Sequence, residues 1–310
     1  MHPTSVVISG ASGFLGSHIA EAFSSINYKV LALVRNSTDL WRLNEIQNEN
    51  IVLINIDQPK YKESLHIFKP TIFVHAAWKG VSAISRNDWA IQTENVDFTV
   101  GMLTLADELK VEKFITLGSQ AEYGIFDGRI KETSPCNPNS AYGAAKTATS
   151  LIVKSFCETH AINWIWLRLF SIYGKRENEE WLIPSVIKRI MQKIPVDLTG
   201  CEQRYDYLYA DDFAKAVVRT AEQQTDSGYF NLSSNSSIRL KDLIEEIRKI
   251  LNPKAVLNFG ALPYRPNQVM HMEGDSTSFN DNFKLSLKTD FESDLNKVVN
   301  YYKSRFTNSI

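Results

Sequence analysis

The chain is poor in cysteine and close to neutral in charge. Its 310 residues include only three cysteines, Cys136, Cys157 and Cys201, which are too few and too far apart for a disulfide framework or a usual zinc ligand set. The six histidines are scattered, so no metal site is expected. A formal net charge of -1 offers no general attraction to nucleic acid or to an anionic membrane.

Long apolar runs are also missing. No stretch reaches the roughly 20 apolar residues of a membrane-spanning helix, and the opening MHPTSVVISG lacks the basic flank and apolar core of a signal peptide. With 44% hydrophobic and 22% charged residues, the composition is that of an ordinary globular protein. We therefore predict a cytoplasmic protein with neither a membrane nor a nucleic-acid partner.

Short apolar segments rich in β-branched residues alternate with longer amphipathic segments through the first half of the chain. The predicted strands are 5–10, 29–34, 51–57, 71–77, 113–119 and 164–170, and the predicted helices include 16–26, 90–110 and 141–159. Strands that are apolar at nearly every position are buried on both faces, as in a parallel sheet covered by helices. The alternation predicts an α/β fold with a doubly wound parallel sheet, the Rossmann arrangement.

After about residue 172 this alternation gives way to a charged loop, GKRENEEW, followed by further helices and a proline-rich loop. The segment ADDFAKAVVRTAEQ has a helical pattern and is predicted to return to the main sheet. We predict a Rossmann domain formed by residues 1–172 and about 206–232. The remaining residues, about 173–205 and 233–310, are predicted to form a smaller, discontinuous C-terminal lobe.

The segment ISGASGFLGSH leads from the first predicted strand into the first predicted helix and contains three glycines. Glycine allows a tight turn and a close approach of pyrophosphate to the backbone, and the helix N-terminus then holds the anion. The position of this turn predicts dinucleotide binding, with tight packing of the turn as the alternative. The predicted cofactor contacts here are Gly10, Ser12, Gly13, Phe14, Leu15 and Gly16.

The end of the second predicted strand, LALVRNST, has no acidic residue where NAD-binding proteins hold the ribose 2′-hydroxyl. Arg35 stands there, followed by Asn36 and Ser37. Because a guanidinium attracts a 2′-phosphate that a carboxylate would repel, NADP(H) is favoured over NAD(H). The alternative is that Arg35 is an ordinary surface residue. Asp57, which ends the third strand, is predicted either to accept a hydrogen bond from adenine or to cap the next turn.

The segment SAYGAAKTA places Tyr142 and Lys146 four residues apart, on one face of a predicted helix. A free tyrosine titrates near pH ~10, and a neighbouring cation lowers the pKa of an acid. The pair is therefore suited to exchange a proton with a carbonyl or hydroxyl group while a nicotinamide exchanges hydride. Taken alone, this spacing also fits a surface tyrosine beside a solvated lysine. Ser119 ends the fifth strand, at the edge where such sheets bind ligands, and its hydroxyl is predicted to hold the reacting oxygen.

These motifs carry a family resemblance. With GASGFLG, GSQAEYG and YGAAK in this order, and with LRLFSIYG, YDYLYADD and FGALPYRPNQ further along, the chain resembles the extended short-chain dehydrogenases/reductases, the NAD-dependent epimerase/dehydratase family. Within that family it is most similar to nucleotide-sugar 4-ketoreductases. The resemblance implies Ser119, Tyr142 and Lys146 as the catalytic set. It also implies a nucleotide sugar lying across both lobes, and a homodimer formed through the helices near 90–110 and 141–159.

Further contacts are expected from the same resemblance. The cofactor would also touch Ala76, Ala77 and Phe170, and the candidate substrate contacts are Trp78, Lys79, Ser119, Gln120, Arg204 and Arg265. Many relatives have proline where this chain has Ala141, and Tyr205 stands where an arginine usually precedes the aspartate. A pyrophosphate contact is therefore expected from Arg265 rather than from Arg204, with an interlobe salt bridge as the alternative. For Trp78 and Lys79 the alternative to a sugar contact is packing.

Three reactions compete for this arrangement. Family dehydratases resemble one another in a Thr-Asp-Glu run, but this chain has Ser119, Gln120 and Ala121 there, so the acid and base that elimination needs are missing. An epimerase would keep NAD tightly bound, whereas a reductase would consume NADPH at each turnover. Arg35 favours the reductase of a nucleotide-linked 4-keto-6-deoxy sugar over the 4-epimerase. A dinucleotide-sensing scaffold stays as the non-enzymatic alternative.

Overall fold

The computed structural model describes residues 4–82, 84–265, 268–287 and 290–307. The strands are β1 (Ser5–Ser9), β2 (Lys29–Val34), β3 (Ile51–Asn55), β4 (Ile72–His75), β5 (Lys113–Ser119), β6 (Gly128–Ile130), β7 (Asn163–Leu169), β8 (Ser171–Tyr173), β9 (Val196–Leu198), β10 (Arg204–Tyr209), β11 (Gly228–Leu232), β12 (Ser237–Arg239), β13 (Leu257–Phe259) and β14 (His271–Gly274). The helices are α1 (Phe14–Ser25), α2 (Trp41–Ile46), α3 (Tyr61–Phe68), α4 (Trp89–Glu108), α5 (Ala141–Thr159), α6 (Leu182–Met191), α7 (Ala210–Glu222), α8 (Leu240–Leu251), α9 (Thr277–Phe283) and α10 (Phe291–Thr307).

The main sheet has seven strands in the order β3-β2-β1-β4-β5-β7-β11, and every pair in it is parallel. The predicted doubly wound α/β fold is therefore confirmed, and all six predicted strands belong to this sheet. The chain reverses direction of winding between β1 and β4, and ligands bind at such a switch point, beyond the carboxyl ends of the strands.

Helices cover both faces of the sheet. All five residues of β1 and all seven of β5 are buried, as expected for strands covered on both sides. Side chains such as Phe23 of α1 and Phe213 of α7 pack on one face, and Leu103 of α4 and Val153 of α5 pack on the other. Burial of these apolar surfaces is what holds the layers together. In the described residues, no helix combines the length and apolar character needed to cross a membrane.

A second, smaller sheet contains β12, β10, β14 and β6, with β8 paired to β10. Residues of β8 and β10 pack with α6, α8 and α10 in a separate apolar core. One strand of this sheet crosses the lobe boundaries predicted from the sequence, since β6 lies within 1–172 but pairs with β14. Strand β10 spans the predicted boundary near residue 206. Its first residues, Arg204 and Tyr205, pair with β12 and β14, and its last three residues pair with β8. The two-lobe division stays a prediction.

Glu177 follows β8, and its carboxyl group is buried with few polar partners. Its side chain accepts a hydrogen bond from the backbone N–H of Gly174 at 2.9 Å, and no described cation forms an ion pair with it. Burial raises the pKa of Glu177 from its ordinary value to about 8, because an apolar environment disfavours the charged carboxylate.

Replacing Glu177 by Gln is expected to remove a pH dependence of stability. The folded protein keeps this proton up to pH about 8, whereas an ordinary glutamate loses it near 4.5. The folded state therefore binds more protons between these values, and stability falls as the pH rises through them. Relative to E177Q, the wild type should lose about 2–4 kcal/mol of unfolding free energy between pH about 5 and about 8. Urea unfolding at both pH values measures this; equal pH dependence of the two proteins would contradict it.

Candidate active site

A cleft of about 720 Å³ lies at the carboxyl ends of β1, β2 and β4. Its lining residues come from the loops that follow these strands, from α2 and from α4; among them are Gly10, Ser12, Gly13, Arg35, Ser37, Thr38, Asp39, Arg42, Ala76, Ala77, Trp78, Lys79 and Phe98. The structure therefore brings together residues from the glycine turn, the end of β2 and the end of β4 that the sequence analysis assigned to the cofactor. The volume suits a ligand of small-molecule or cofactor size.

The glycine turn is closely packed against the end of β4. Gly10 has a φ of +75°, and a side chain there would place its Cβ 2.6 Å from the Cα of Ala77. A Cβ on Gly16 would lie 2.0 Å from the carbonyl oxygen of Gly10. Neither position tolerates a larger residue. Gly13 caps the N-terminus of α1, so unpaired backbone N–H groups and the helix dipole face the cleft, as an anion site requires.

Two other predicted contacts in this turn point elsewhere. Phe14 packs edge-on against Trp181, with ring centroids 6.0 Å apart, and Leu15 packs against the core between α1 and the sheet. Their side chains therefore pack against other residues and stabilise the turn. Only their backbone N–H groups, in the first turn of α1, remain candidates for contact with the cofactor.

Two hydrogen bonds hold the loop after β2 in place, one within the loop and one to Asp57, which follows β3. The N–H of Arg35 donates to the Thr38 hydroxyl at 2.8 Å, and the N–H of Asn36 donates to the Asp57 carboxylate at 2.7 Å. Asp57 therefore fixes this loop, which is close to the turn-capping role considered from the sequence. The Arg35 guanidinium lies over the Phe98 ring, with Cζ 4.9 Å from its centroid.

A second guanidinium, Arg42, also lines this part of the cleft. Its Nε donates to the carbonyl oxygen of Arg176 at 2.7 Å, and its Cζ lies 4.4 Å from the centroid of the Trp41 ring. No hydrogen bond joins its terminal nitrogens to the part of the chain that the structure describes. The acidic lining residues are Asp39, Glu94 and Asp97, and Asp39 accepts a hydrogen bond from the N–H of Trp41. Sequence reasoning missed Arg42 because it lies in α2, seven residues beyond Arg35, and only the fold of the loop brings it to the cleft.

Ser119, Tyr142 and Lys146 lie close together beside this cleft. Ser119 ends β5, and its hydroxyl accepts from the N–H of Ala121 at 3.1 Å and lies near enough to the Tyr142 phenol to lower its pKa. Tyr142 is in the first turn of α5, which the Ser140 side chain caps by accepting from the N–H of Gly143. Lys146 follows one turn later, with Nζ 5.9 Å from the centroid of the Tyr142 ring.

The electrostatics of this group differ from the sequence-based expectation. Burial raises the pKa of Tyr142, and the Ser119 hydroxyl and the Arg86 guanidinium lower it in part. The sequence analysis assigned this lowering to Lys146. In the structure, Lys146 Nζ instead donates to the carbonyl oxygen of Leu117 at 2.6 Å and lies 3.6 Å from the centroid of the Trp78 ring. Burial lowers the pKa of Lys146 to about 7.

A buried ion pair between Glu122 and Arg168 lies beside Ser119. The Glu122 carboxylate accepts from the N–H of Ser119 at 2.8 Å and from Trp166 Nε1 at 2.9 Å. Its other oxygen pairs with Arg168 Nε at 2.8 Å, and Arg168 Nη1 donates to the Tyr123 hydroxyl at 3.0 Å. With both charges paired and hydrogen-bonded, this network fixes the loop that carries Ser119. Sequence reasoning did not assign Glu122 a role.

The remaining candidates divide into near and distant residues. Lys79 lines the cleft mouth, with Nζ 3.5 Å from Glu94, and Gln120 begins the 3-10 turn directly after Ser119. Phe170, in contrast, packs in a separate apolar cluster with Tyr123, Ile130 and Met272. Phe170 is not among the residues that line the cleft, so its cofactor contact stays a prediction.

The two arginines considered for pyrophosphate lie apart from the cleft lining. Arg204 donates to the carbonyl oxygen of Ser237 at 2.7 Å and lines a different groove with Arg239 and Phe291, which agrees with the doubt raised from the sequence. Arg265 is exposed and lies near the Tyr205 phenol, whose pKa it helps to lower against the larger effect of burial. Arg265 therefore stays available to a ligand.

Two histidines are engaged in internal hydrogen bonds. His75 bonds to the Ser9 hydroxyl at 2.6 Å and to the Thr99 hydroxyl at 2.9 Å, and burial lowers its pKa to about 3, so it is neutral. His18 lies within metal-ligand reach of Glu21 and Asp211. Its two nitrogens face Asp211 at 2.8 Å and the Lys175 carbonyl at 2.9 Å, which accounts for this cluster without an ion.

Comparison with known proteins agrees with this geometry. The chain is 25% identical over 300 residues to CDP-abequose synthase of Salmonella muenchen, covering 95% of this chain and 96% of that one. It is 26% identical over 282 residues to dTDP-4-dehydro-6-deoxyglucose reductase of Escherichia coli, covering 82% and 84%. Among solved structures, UDP-N-acetylglucosamine 4-epimerase from Methanobrevibacter ruminantium M1, in complex with UDP-N-acetylmuramic acid, superposes with a TM-score of 0.87 at 26% identity, covering 98% of this chain and all of that one.

A family model also matches most of this chain. The model of the NAD dependent epimerase/dehydratase family matches residues 6–233, a range that contains the glycine turn, the cleft and the Ser119, Tyr142 and Lys146 group. Since the match spans most of the chain and the fold agrees, the chain belongs to the NAD dependent epimerase/dehydratase family.

Proposed function

We propose that this protein is an NADPH-dependent reductase of a nucleotide-linked 4-keto-6-deoxy sugar. The observation that carries the proposal is the chemistry at the end of β2. Arg35 and Arg42 line the cleft there with Ser37 and Thr38, and the acidic neighbours Asp39 and Asp57 accept backbone hydrogen bonds. Guanidinium and hydroxyl donors suit a 2′-phosphate, and NADP(H) is the cofactor that a reductase would consume.

The three catalytic candidates have separate tasks in this proposal. NADPH, when bound, supplies the hydride that reaches the keto carbon. Ser119 donates a hydrogen bond that orients the carbonyl oxygen, and the Tyr142 hydroxyl gives its proton to that oxygen. Lys146 lies against the ring of Trp78, which lines the cleft, and is assigned the nicotinamide ribose. To do so its Nζ must leave the carbonyl oxygen of Leu117 or share its hydrogens, which an ammonium with three donors can do.

The substrate class rests on the relatives and on the residues at the cleft mouth. Two similar proteins are a CDP-abequose synthase and a dTDP-4-dehydro-6-deoxyglucose reductase, and the second name specifies reduction of a nucleotide-linked 4-keto-6-deoxy sugar. Trp78 offers an aromatic face to the sugar, and Lys79 and Gln120 offer polar contacts beside it. Arg265 is the proposed pyrophosphate ligand, with Arg204 a weaker candidate because its guanidinium is already bonded to Ser237.

A 4-epimerase is the second candidate, because the similar solved structure from Methanobrevibacter ruminantium M1 is a 4-epimerase. An epimerase returns the hydride to the sugar, so it needs a bound dinucleotide but consumes none. The dehydratase reading is disfavoured, since Gln120 and Ala121 provide neither the acid nor the base that elimination requires.

A panel of CDP-, dTDP-, GDP- and UDP-linked 4-keto sugars, followed by the NADPH absorbance, tests the reductase directly. We expect stoichiometric NADPH oxidation with at least one of them. Interconversion of 4-hydroxy sugar nucleotides without net NADPH oxidation would replace the reductase by the epimerase. Absence of both reactions, with dinucleotide still bound, would leave the scaffold interpretation.

Cofactor preference provides a more local prediction. Replacing Arg35 by Gln removes a charged donor to the 2′-phosphate, which is worth about 1.5–3 kcal/mol. We therefore expect the ratio of kcat/KM for NADPH to that for NADH to fall about 10- to 100-fold, with the NADH value nearly unchanged. Arg189→Gln, which removes an exposed guanidinium on α6, is the matched control. An unchanged NADPH-to-NADH ratio in R35Q would contradict the assignment.

Assembly and location belong to the same proposal. The outer faces of α4 and α5 expose Val100 and Leu151, at 41% and 59% of their surfaces, and these two helices pack side by side. We propose a homodimer through this face, which sedimentation of the purified protein tests.

The three cysteines are free thiols, which favours a reducing compartment and supports the cytoplasm as the proposed location.

A further inference from the structure

Tyr142 is flanked by a second cation that belongs to no motif. Arg86 lies in the loop between β4 and α4, and its Cζ is 4.6 Å from the centroid of the Tyr142 ring. The carbonyl oxygen of Arg86 accepts from the N–H of Tyr142 at 2.9 Å, and the side chain of the next residue, Asn87, accepts from the N–H of Ala141 at 3.3 Å. Two hydrogen bonds thus attach this loop to the first turn of α5 and hold the guanidinium against the phenol.

Lys146 is less able to act on the phenol than its sequence position suggests. Its Nζ donates to the carbonyl oxygen of Leu117 and lies over the Trp78 indole, and the Trp78 ring in turn stands edge-on to the Tyr142 ring. Because burial lowers the pKa of Lys146 to about 7, much of the lysine is neutral near neutral pH. A guanidinium stays charged at any pH of interest.

No carboxylate of the described residues forms an ion pair with Arg86, and its side chain is half-buried. A charge that is neither paired nor fully exposed acts over a few ångströms with little screening. The one carboxylate that bears on Tyr142, Glu122, is neutralised by Arg168 at 2.8 Å. The groups that face the phenol are thus Ser119 from β5, Glu122 from the 3-10 turn, Lys146 from α5 and Arg86 from the loop.

We propose that Arg86 is a positioning residue that stabilises the negative charge left on Tyr142 when the phenol gives up its proton. The inference rests on the proposed function for the fate of that proton. In the reduction, NADPH would supply the hydride of the new C–H bond as the carbonyl π bond breaks, and the Tyr142 O–H bond breaks as its proton forms the O–H bond of the product. The phenolate that is left regains a proton from the solvent. Arg86 acts during the interval in which the phenolate exists.

The test compares wild type, Arg86→Gln and Arg86→Lys, with Arg189→Gln as the control for loss of a distant guanidinium. For Arg86→Gln we expect kcat to fall about 10-fold or more with KM for NADPH nearly unchanged. Arg86→Lys, which keeps the charge, should recover most of the loss. The second readout is ionisation of Tyr142, followed by the isotope-labelled tyrosine ζ-carbon resonance that Tyr142→Phe removes. In Arg86→Gln this ionisation should begin about one pH unit higher than in wild type.

Each result decides the proposal. A lower kcat with lysine rescue and delayed ionisation supports it. An unchanged kcat, a loss that lysine does not recover, or the same ionisation behaviour in wild type and Arg86→Gln overturns it. The resonance measurement needs no substrate, so it decides the role of Arg86 even if every keto-sugar nucleotide in the panel is left unreduced, a result that would remove the proposed function alone.

Discussion

Replacing Tyr142 by Phe is expected to lower kcat for keto-sugar reduction by at least about 100-fold. The variant loses only the hydroxyl that gives a proton to the carbonyl oxygen, while the ring that packs between Arg86 and Trp78 stays in place. Ser119 would still orient the oxygen, but its hydroxyl is a far weaker acid than a phenol. Stopped-flow measurement of NADPH oxidation at saturating substrate gives the value directly.

Two controls accompany this variant. NADPH affinity, measured by its fluorescence on binding, should change less than about 3-fold, because Tyr142 is not among the residues that line the cleft. Tyr28→Phe removes a phenol hydroxyl far from the site, beside Phe23, and should leave kcat unchanged. A Tyr142→Phe enzyme that turns over near the wild-type rate would mean that the proton comes from another group.

Replacing Glu122 by Gln is expected to lower the free energy of unfolding by about 3–5 kcal/mol. Glu122 is fully buried and Arg168 is 5% exposed, so the amide would leave the guanidinium charged and uncompensated in the interior. The same change removes the negative end of the bond network that holds Ser119, Trp166 and Tyr123 in position. Urea unfolding monitored by circular dichroism measures the loss.

The double variant Glu122→Leu with Arg168→Met separates charge from packing. Removing both partners eliminates the uncompensated charge, and apolar replacement of a buried pair is often close to neutral. The double variant should therefore be more stable than Glu122→Gln. If Glu122→Gln unfolds within about 0.5 kcal/mol of wild type, the ion pair does not hold this part of the structure.

The main sheet was predictable because its strands are short, apolar and regularly spaced. Each of the six segments predicted as strands overlaps an observed strand within two residues at either end. The seventh strand, β11 (GYFNL), was missed because a glycine and an asparagine dilute its apolar pattern. The short strands of the second sheet, such as β6 and β12, contain three residues each. Their pairing depends on distant segments, so no local pattern predicts it.

The candidate site shows the same division. The glycine turn, Arg35, Ser119, Tyr142 and Lys146 follow from spacing and from strand ends, and the structure brings them to one edge of the sheet. Arg42 and Arg86 reach the site through loop conformations that local sequence does not specify. The burial of Tyr142 and Lys146 could not be predicted from local sequence either. Burial raises the pKa of Tyr142 and lowers that of Lys146, whereas their spacing alone suggested a simple attraction between phenol and ammonium.

Transfer of hydride from cofactor to sugar is the central claim, and isotope labelling tests it most directly. A single turnover with NADPH that carries deuterium at the transferred position should give a 4-hydroxy sugar nucleotide with one deuterium on C4 and an equal amount of NADP⁺. A sugar nucleotide without deuterium, formed while the cofactor stays reduced, would contradict the account.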